Sequence, residues 1–172
     1  FTWRGQREYL FHYSVTSAQA MMNLIDSHDT YRFLESAEND AERLKLAVFF
    51  QMTYVGAPHI WYGDEVGMTG AYDPDNRRPF NWKYTENKQS VELLEFYKKL
   101  IAIRNNNKSL RRGSFIPVLS RNKLLIFNRI YLNEKIIVII NNSETDDYLD
   151  SEILLENDYV DLITDKIYKA GN

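Results

Sequence analysis

The sequence predicts an α/β segment followed by an antiparallel all-β module. Three observations carry this. Met21-Met22-Asn23-Leu24-Ile25 and His59-Ile60-Trp61-Tyr62 are short apolar runs without alternation, as expected of parallel strands covered on both faces, and each ends abruptly in polar residues. A helical pattern of about four turns separates them, so strand, helix and strand make a βαβ unit whose crossover renders the strands parallel. Beyond about Ser109 the texture changes to short β-prone runs parted by turn residues.

Taken in order, residues 1–20 mix aromatic and charged residues around a weak helical pattern and are read as a helix or loop leading into the first strand. After that strand, Glu38-Asn39-Asp40 offers an N-cap and first-turn acids for a helix over Ala41–Tyr54, which stops at Gly56-Ala57-Pro58. The second strand leads into a loop, Gly63 to Trp82, that is long for its place and rich in turn formers. Its aromatics and the Arg77-Arg78 pair argue that it is packed. Ser90 is read as the cap of a helix from Val91 to about Asn105, with Lys98, Lys99 and Arg104 placed favourably for its dipole. Strands are expected at Phe115–Leu119, Lys123–Ile130, Lys135–Ile140, Ile153–Leu155 and Tyr159–Ile163, forming a small sandwich. The runs 123–127 and 136–140 are apolar enough to be placed centrally. The boundary near residue 108 carries no flexible linker.

Composition narrows the function. A formal net charge of -3 over 172 residues, with Lys and Arg scattered, leaves no basic stripe for nucleic acid. Cysteine is absent, which excludes disulfides and thiolate metal sites. No apolar run approaches the roughly 20 residues of a membrane helix, and the start lacks a signal-peptide pattern, so no membrane partner and a cytoplasmic location are expected. The chain starts at Phe1 in mid-flow, as a piece of a longer protein would. Catalytic groups in parallel barrels sit at the carboxyl ends of strands, which puts His28 and Asp29 at the mouth of a site. A hydrogen-bonded structural corner is the alternative for that pair. Asp64 and Glu65 are adjacent, so their side chains diverge, and they are read as loop-structuring acids.

Met22 to Leu34, Gly56 to Met68, Asp73 to Trp82 and Leu110 to Phe115 together resemble the α-amylase superfamily, in its neopullulanase, cyclomaltodextrinase and maltogenic amylase group. The resemblance implies the last two β/α units of a (β/α)8 barrel, strands seven and eight, over residues 1–108. Residues 109–172 would be a truncated β-sandwich C-terminal domain. Position by position, Asp29 matches the aspartate that stabilises the transition state and His28 the histidine that binds a sugar hydroxyl. Asp73 and Arg77 match a loop pair holding a sugar further from the cleavage point, with a loop-bracing salt bridge as the competing reading. Arg32 is read as a structural brace at the strand end. Tyr62 and Tyr72 are placed to stack on sugar faces, whereas Trp61, Phe80 and Trp82 are expected to pack the barrel end.

The nucleophilic aspartate and the acid/base glutamate of that family belong to earlier strands, and neither is matched here. The expected activity is therefore that of a parent enzyme, a retaining hydrolase of α-glucosidic bonds in maltooligosaccharides, cyclodextrins or pullulan, with this chain alone inactive. An α-glucosidase or branching-type transferase, and a non-catalytic glycan-binding domain, are the rivals. The expected partner is an α-glucan oligosaccharide; neither cofactor nor metal ligand set is read from the sequence. Open sheet edges make self-association, as a homodimer or by strand exchange, a further expectation.

Overall fold

A computed structural model describes residues 14–121, 123–147 and 157–170. The strand expected at Ile153–Leu155 lies outside these residues. Helix α1 (Val15–Ala20), capped by the Ser14 hydroxyl, feeds strand β1 (Met22–Leu24). The short helix α2 (Phe33–Ser36) and the longer α3 (Ala41–Thr53) follow. The Asp40 carboxylate accepts from the amides of Glu42 and Arg43, the N-cap that the sequence announced. Strand β2 (Ala57–His59) returns parallel to β1 in the register Met22↔Ala57, Asn23↔Pro58 and Leu24↔His59.

The βαβ order is as expected, but β2 sits two residues earlier than the apolar run, because the ladder with β1 ends at His59. Within this chain Met22 of β1 is 60% exposed. Gln51, on α3, donates one hydrogen bond to Asn23 O (2.9 Å) and another to His59 O (2.8 Å), stitching helix to both strands. Between α3 and β2 the chain turns at Gly56 with φ +108°, where a Cβ would lie 2.6 Å from Met21 O; only glycine fits.

Helix α4 (Lys88–Asn106) covers the unit. Its cap is Asn87, which accepts from the amides of Gln89 and Ser90; Ser90 is buried inside the first turn and caps nothing. Leu34, Leu44, Val48, Met52, Leu93, Tyr97 and Leu100 form the core between α2, α3 and α4. After the short α5 (Lys108–Arg112), strands β3 (Ser114–Arg121), β4 (Leu124–Tyr131) and β5 (Glu134–Asn141) form an antiparallel sheet in the order β3-β4-β5. Strand β4 is central as expected, while β5 borders the described sheet. A separate ladder joins β6 (Tyr159–Val160) to β7 (Ile167–Tyr168). The expected strand through Ile163 stops early because the Asp161 carboxylate accepts from Ile163 N (2.8 Å) and bends the chain.

Helix α3 is buried on two sides. Leu46, Phe49 and Phe50 pack against Phe127, Val138 and Ile140 of the three-stranded sheet, opposite the first core. That shared helix explains the absence of a flexible linker near residue 108. Two buried arginines complete the junction at the end of α3. Arg104 donates to Met52 O (2.6 Å), Tyr54 O (3.1 Å) and Gly56 O; Arg129, on β4, donates to Thr53 O (2.7 Å) and Gly113 O (3.1 Å). Carbonyls that a helix end leaves unpaired are thereby satisfied by cations at the negative end of its dipole. Arg104 thus serves the end of α3 in place of its own helix.

Candidate functional site

The site begins where β1 ends. Asp26, buried, accepts from Phe33 N through Oδ2 at 2.6 Å, which draws the start of α2 back to the strand and forces residues 27–32 into a closed loop. Inside the loop Ser27 N is bonded to Thr30 Oγ1 (3.0 Å) and Asp29 N to Ser27 Oγ (3.2 Å). His28 and Asp29 therefore stand at its tip, with the Asp29 side chain 71% exposed.

The second loop, after β2, is fastened to the first through main-chain oxygens. Asn76, fully buried, donates to His28 O (2.7 Å) and Thr30 O (2.8 Å). Arg32 N donates to Gly70 O (3.0 Å), and the Arg32 guanidinium to Asn76 O (3.0 Å) and Tyr62 O (2.8 Å). Arg32 is the brace that the sequence suggested.

These fastenings assemble the charged tip. His28 Nε2 lies 3.2 Å from Asp29 Oδ1. Arg77 Nε donates to His28 O (3.1 Å) and lies 3.3 Å from Asp73 Oδ1, while Nη2 reaches within 3.8 Å of Asp29 Oδ1. Four sequence-predicted residues, His28, Asp29, Asp73 and Arg77, thus form one cluster. It sets two carboxylates, an imidazole and a guanidinium at the surface, a set suited to gripping hydroxyl groups. Arg77 both bridges the loops and faces outward, so bracing and binding are compatible roles.

Below the tip lies a buried acid cluster. Asp64 Oδ1 accepts from Arg32 Nη1 at 3.1 Å. Burial, and after it the hydrogen bond and charge of Asp26, push the Asp64 carboxyl from 3.8 up to about 9, against the pull of Arg32. Tyr97, packed beneath, is raised by burial and by the same acids. Glu65 accepts from Gly63 N (2.7 Å), so both acids structure the loop as expected.

The aromatic residues divide. Trp61 is half-buried with its ring 5.8 Å from that of His28 and 4.6 Å from that of Tyr62. Tyr62 is engaged: Arg32 lies 4.8 Å from its ring centroid and its hydroxyl donates to Arg78 O (2.8 Å). Tyr72 is 74% exposed and meets Tyr31 edge to face, with centroids 4.4 Å apart. Trp82, expected to pack, is instead 82% exposed and touches Phe80, because the turn at Asn81 folds the two rings onto each other.

The family model of the α-amylase catalytic domain matches residues 2–92, more than half of the chain. The chain belongs to the α-amylase family. A cyclomaltodextrinase from Thermoanaerobacter pseudethanolicus is 48% identical over 136 residues, which is 79% of this chain and 23% of that protein. Neopullulanase 2 from Thermoactinomyces vulgaris is 46% identical over 132 residues, 76% of this chain and 22% of its own length. This α-amylase-family chain therefore spans less than a quarter of those two relatives. Among solved structures, a cyclomaltodextrinase superposes with a TM-score of 0.73 at 37% identity, covering 80% of this chain and 24% of that one. An Anoxybacillus α-amylase gives 0.84 at 27% identity, covering 99% and 37%.

Three residues that shape or border this candidate site are not marked by any sequence pattern used above. Asn76 is one polar residue among many in a polar loop, and no pattern marks it as the staple. Asp26 could have been noticed as a carboxylate directly continuing an apolar run. Tyr31 had no visible partner, since Tyr72 lies 41 positions away.

Proposed function

We propose that residues 1–108 are the C-terminal part of a (β/α)8 catalytic barrel and contribute strands seven and eight, with residues 109–172 a β-sandwich domain. The whole protein is a retaining α-glucan hydrolase of the cyclomaltodextrinase and neopullulanase type. It cleaves α-glucosidic bonds in maltooligosaccharides, cyclodextrins or pullulan. The single observation that supports this reading best is the Asp29 carboxylate at the tip of the β1 loop, beside His28 and bridged through Arg77 to Asp73.

The chemistry follows from that placement. As a glycosidic bond breaks, the sugar ring flattens towards an oxocarbenium ion and its hydroxyls become stronger donors. A fixed carboxylate at Asp29 then stabilises the transition state more than the bound substrate, which is the condition for raising kcat. His28 donates to a neighbouring hydroxyl, and Asp73 with Arg77 holds the next sugar outward; Tyr62 and Tyr72 supply aromatic surface. The nucleophile and the acid/base come from outside this chain, about 5 Å apart as retention requires.

Sugar release from β-cyclodextrin, pullulan and maltotriose, by this chain and by the full-length protein, tests the reading. Activity confined to the full-length protein is expected, and Asp29→Asn in that protein should lower kcat by about 100-fold or more with a far smaller change in KM. Release by the 172-residue chain itself, or an Asp29→Asn effect on KM alone, overturns it.

A further inference from the structure

Tyr31 and Tyr72 are among the few large aromatic side chains exposed in the described residues, with Trp82 and Tyr168. Tyr72 is 74% exposed, while Tyr31, at 36%, is the more covered of the two. Their rings meet at 80° with centroids 4.4 Å apart, a favoured edge-to-face contact that leaves ring surface of Tyr72 open. The contact is not between wandering loops. Tyr31 lies between Thr30, whose carbonyl is bonded to Asn76, and Arg32, whose amide is bonded to Gly70 O. Tyr72 precedes Asp73, roughly 3.8 Å along the chain between Cα atoms.

We propose that Tyr31 and Tyr72 form an aromatic platform that stacks one further glucosyl unit of a linear α-glucan, outward of the unit held by Asp73 and Arg77. The proposal deepens the α-glucan hydrolase reading and rests on it. A pyranose ring presents an apolar C–H face that an open aromatic ring covers well, and an edge-to-face partner fixes the receiving ring in advance. Preorganisation of this kind lets the contact yield affinity without a further ordering cost. The platform's consequence is a preference for longer chains. A short oligosaccharide filling the site around Asp29 does not reach the platform; a longer one does.

The test uses the full-length protein and its Tyr72→Ala, Tyr31→Ala and Tyr72→Phe variants, with kcat/KM measured on maltotriose and on maltoheptaose. The ratio of maltoheptaose to maltotriose should fall by about tenfold in Tyr72→Ala, the effect of one stacking contact of ordinary strength. Tyr31→Ala should lower it by about threefold through a ring left unsupported, and Tyr72→Phe should hold it within about twofold because the ring remains. An unchanged ratio in Tyr72→Ala overturns the platform while leaving the hydrolase reading in place. If the unmodified protein releases sugar from neither substrate, the hydrolase reading fails, and calorimetric titration with maltoheptaose decides the platform separately. Binding weakened by Tyr72→Ala supports it; absent or equal binding refutes it. Circular dichroism and the thermal midpoint of each variant against the unmodified full-length protein separate a change in chain-length preference from a loss of folding.

Discussion

Replacing Arg129 by Met tests how the two halves of the chain are joined. The guanidinium is fully buried and donates to Thr53 O at 2.7 Å and Gly113 O at 3.1 Å, so one side chain from the central strand of the sheet holds the end of α3. Hydrogen bonds from a charged donor are worth about 1.5–3 kcal/mol each, which makes the two worth roughly 3–6 kcal/mol. Against this stands the cost of burying the charge, visible in a guanidinium held down to about 10 by desolvation and by the nearby Arg104. Methionine removes that cost but leaves two buried carbonyls without a donor. We expect a net loss of about 3 kcal/mol, or a fall of about 1.5 M in the urea midpoint at an ordinary slope of 2 kcal/mol per molar. Arg129→Lys should lose less, since an ammonium keeps the charge and reaches one carbonyl. Hydrogen exchange should quicken at the last turn of α3. A midpoint within about 0.3 M of the parent would refute the reasoning, because the junction would then rest on packing alone.

The acid cluster under the site gives a pH prediction. The folded state holds the Asp64 proton up to about 9, whereas the unfolded state releases it near 3.8, so the unfolded state binds fewer protons between those values. Stability should accordingly be greatest below that window and fall as pH rises through it. Asp64→Asn should flatten the dependence, measured as thermal midpoints between about pH 5 and 8.5; parallel curves would refute it. Asn76→Ala should cost about 2 kcal/mol through its two part-buried hydrogen bonds and speed amide exchange over residues 27–31; an unchanged exchange pattern would remove Asn76 from the role of staple.

Those elements whose causes are local were legible in the sequence. Asp40 caps α3 because a carboxylate before an apolar-periodic run has few other uses, and the β3 to β5 strands were placed to within two residues because turn residues bound them. The parallel pairing of β1 and β2 followed from chain topology. What failed depended on choices between equals or on distant partners. Asn87 and Ser90 are both good caps, and only the packing of Ser90 against the core decides for Asn87. Arg104 looked like a dipole partner for its own helix, yet its carbonyls belong to residues 52, 54 and 56. The motifs singled out His28, Asp29, Asp73 and Arg77, and the structure brings these four together. Asn76 was not, because a staple is defined by the two carbonyls it finds across 46 and 48 residues of chain.

That staple has an evolutionary consequence. Asn76, Arg77 and Arg32 hold the rim loops by main-chain oxygens at 28, 30, 62 and 76, which every amino acid carries. The side chains at 28, 29 and 31 are therefore relieved of maintaining the shape of the loop that displays them. A substitution at Tyr31 changes the surface that the rim presents without removing the main-chain fastenings, so variants can alter the displayed side chains while inheriting the same frame.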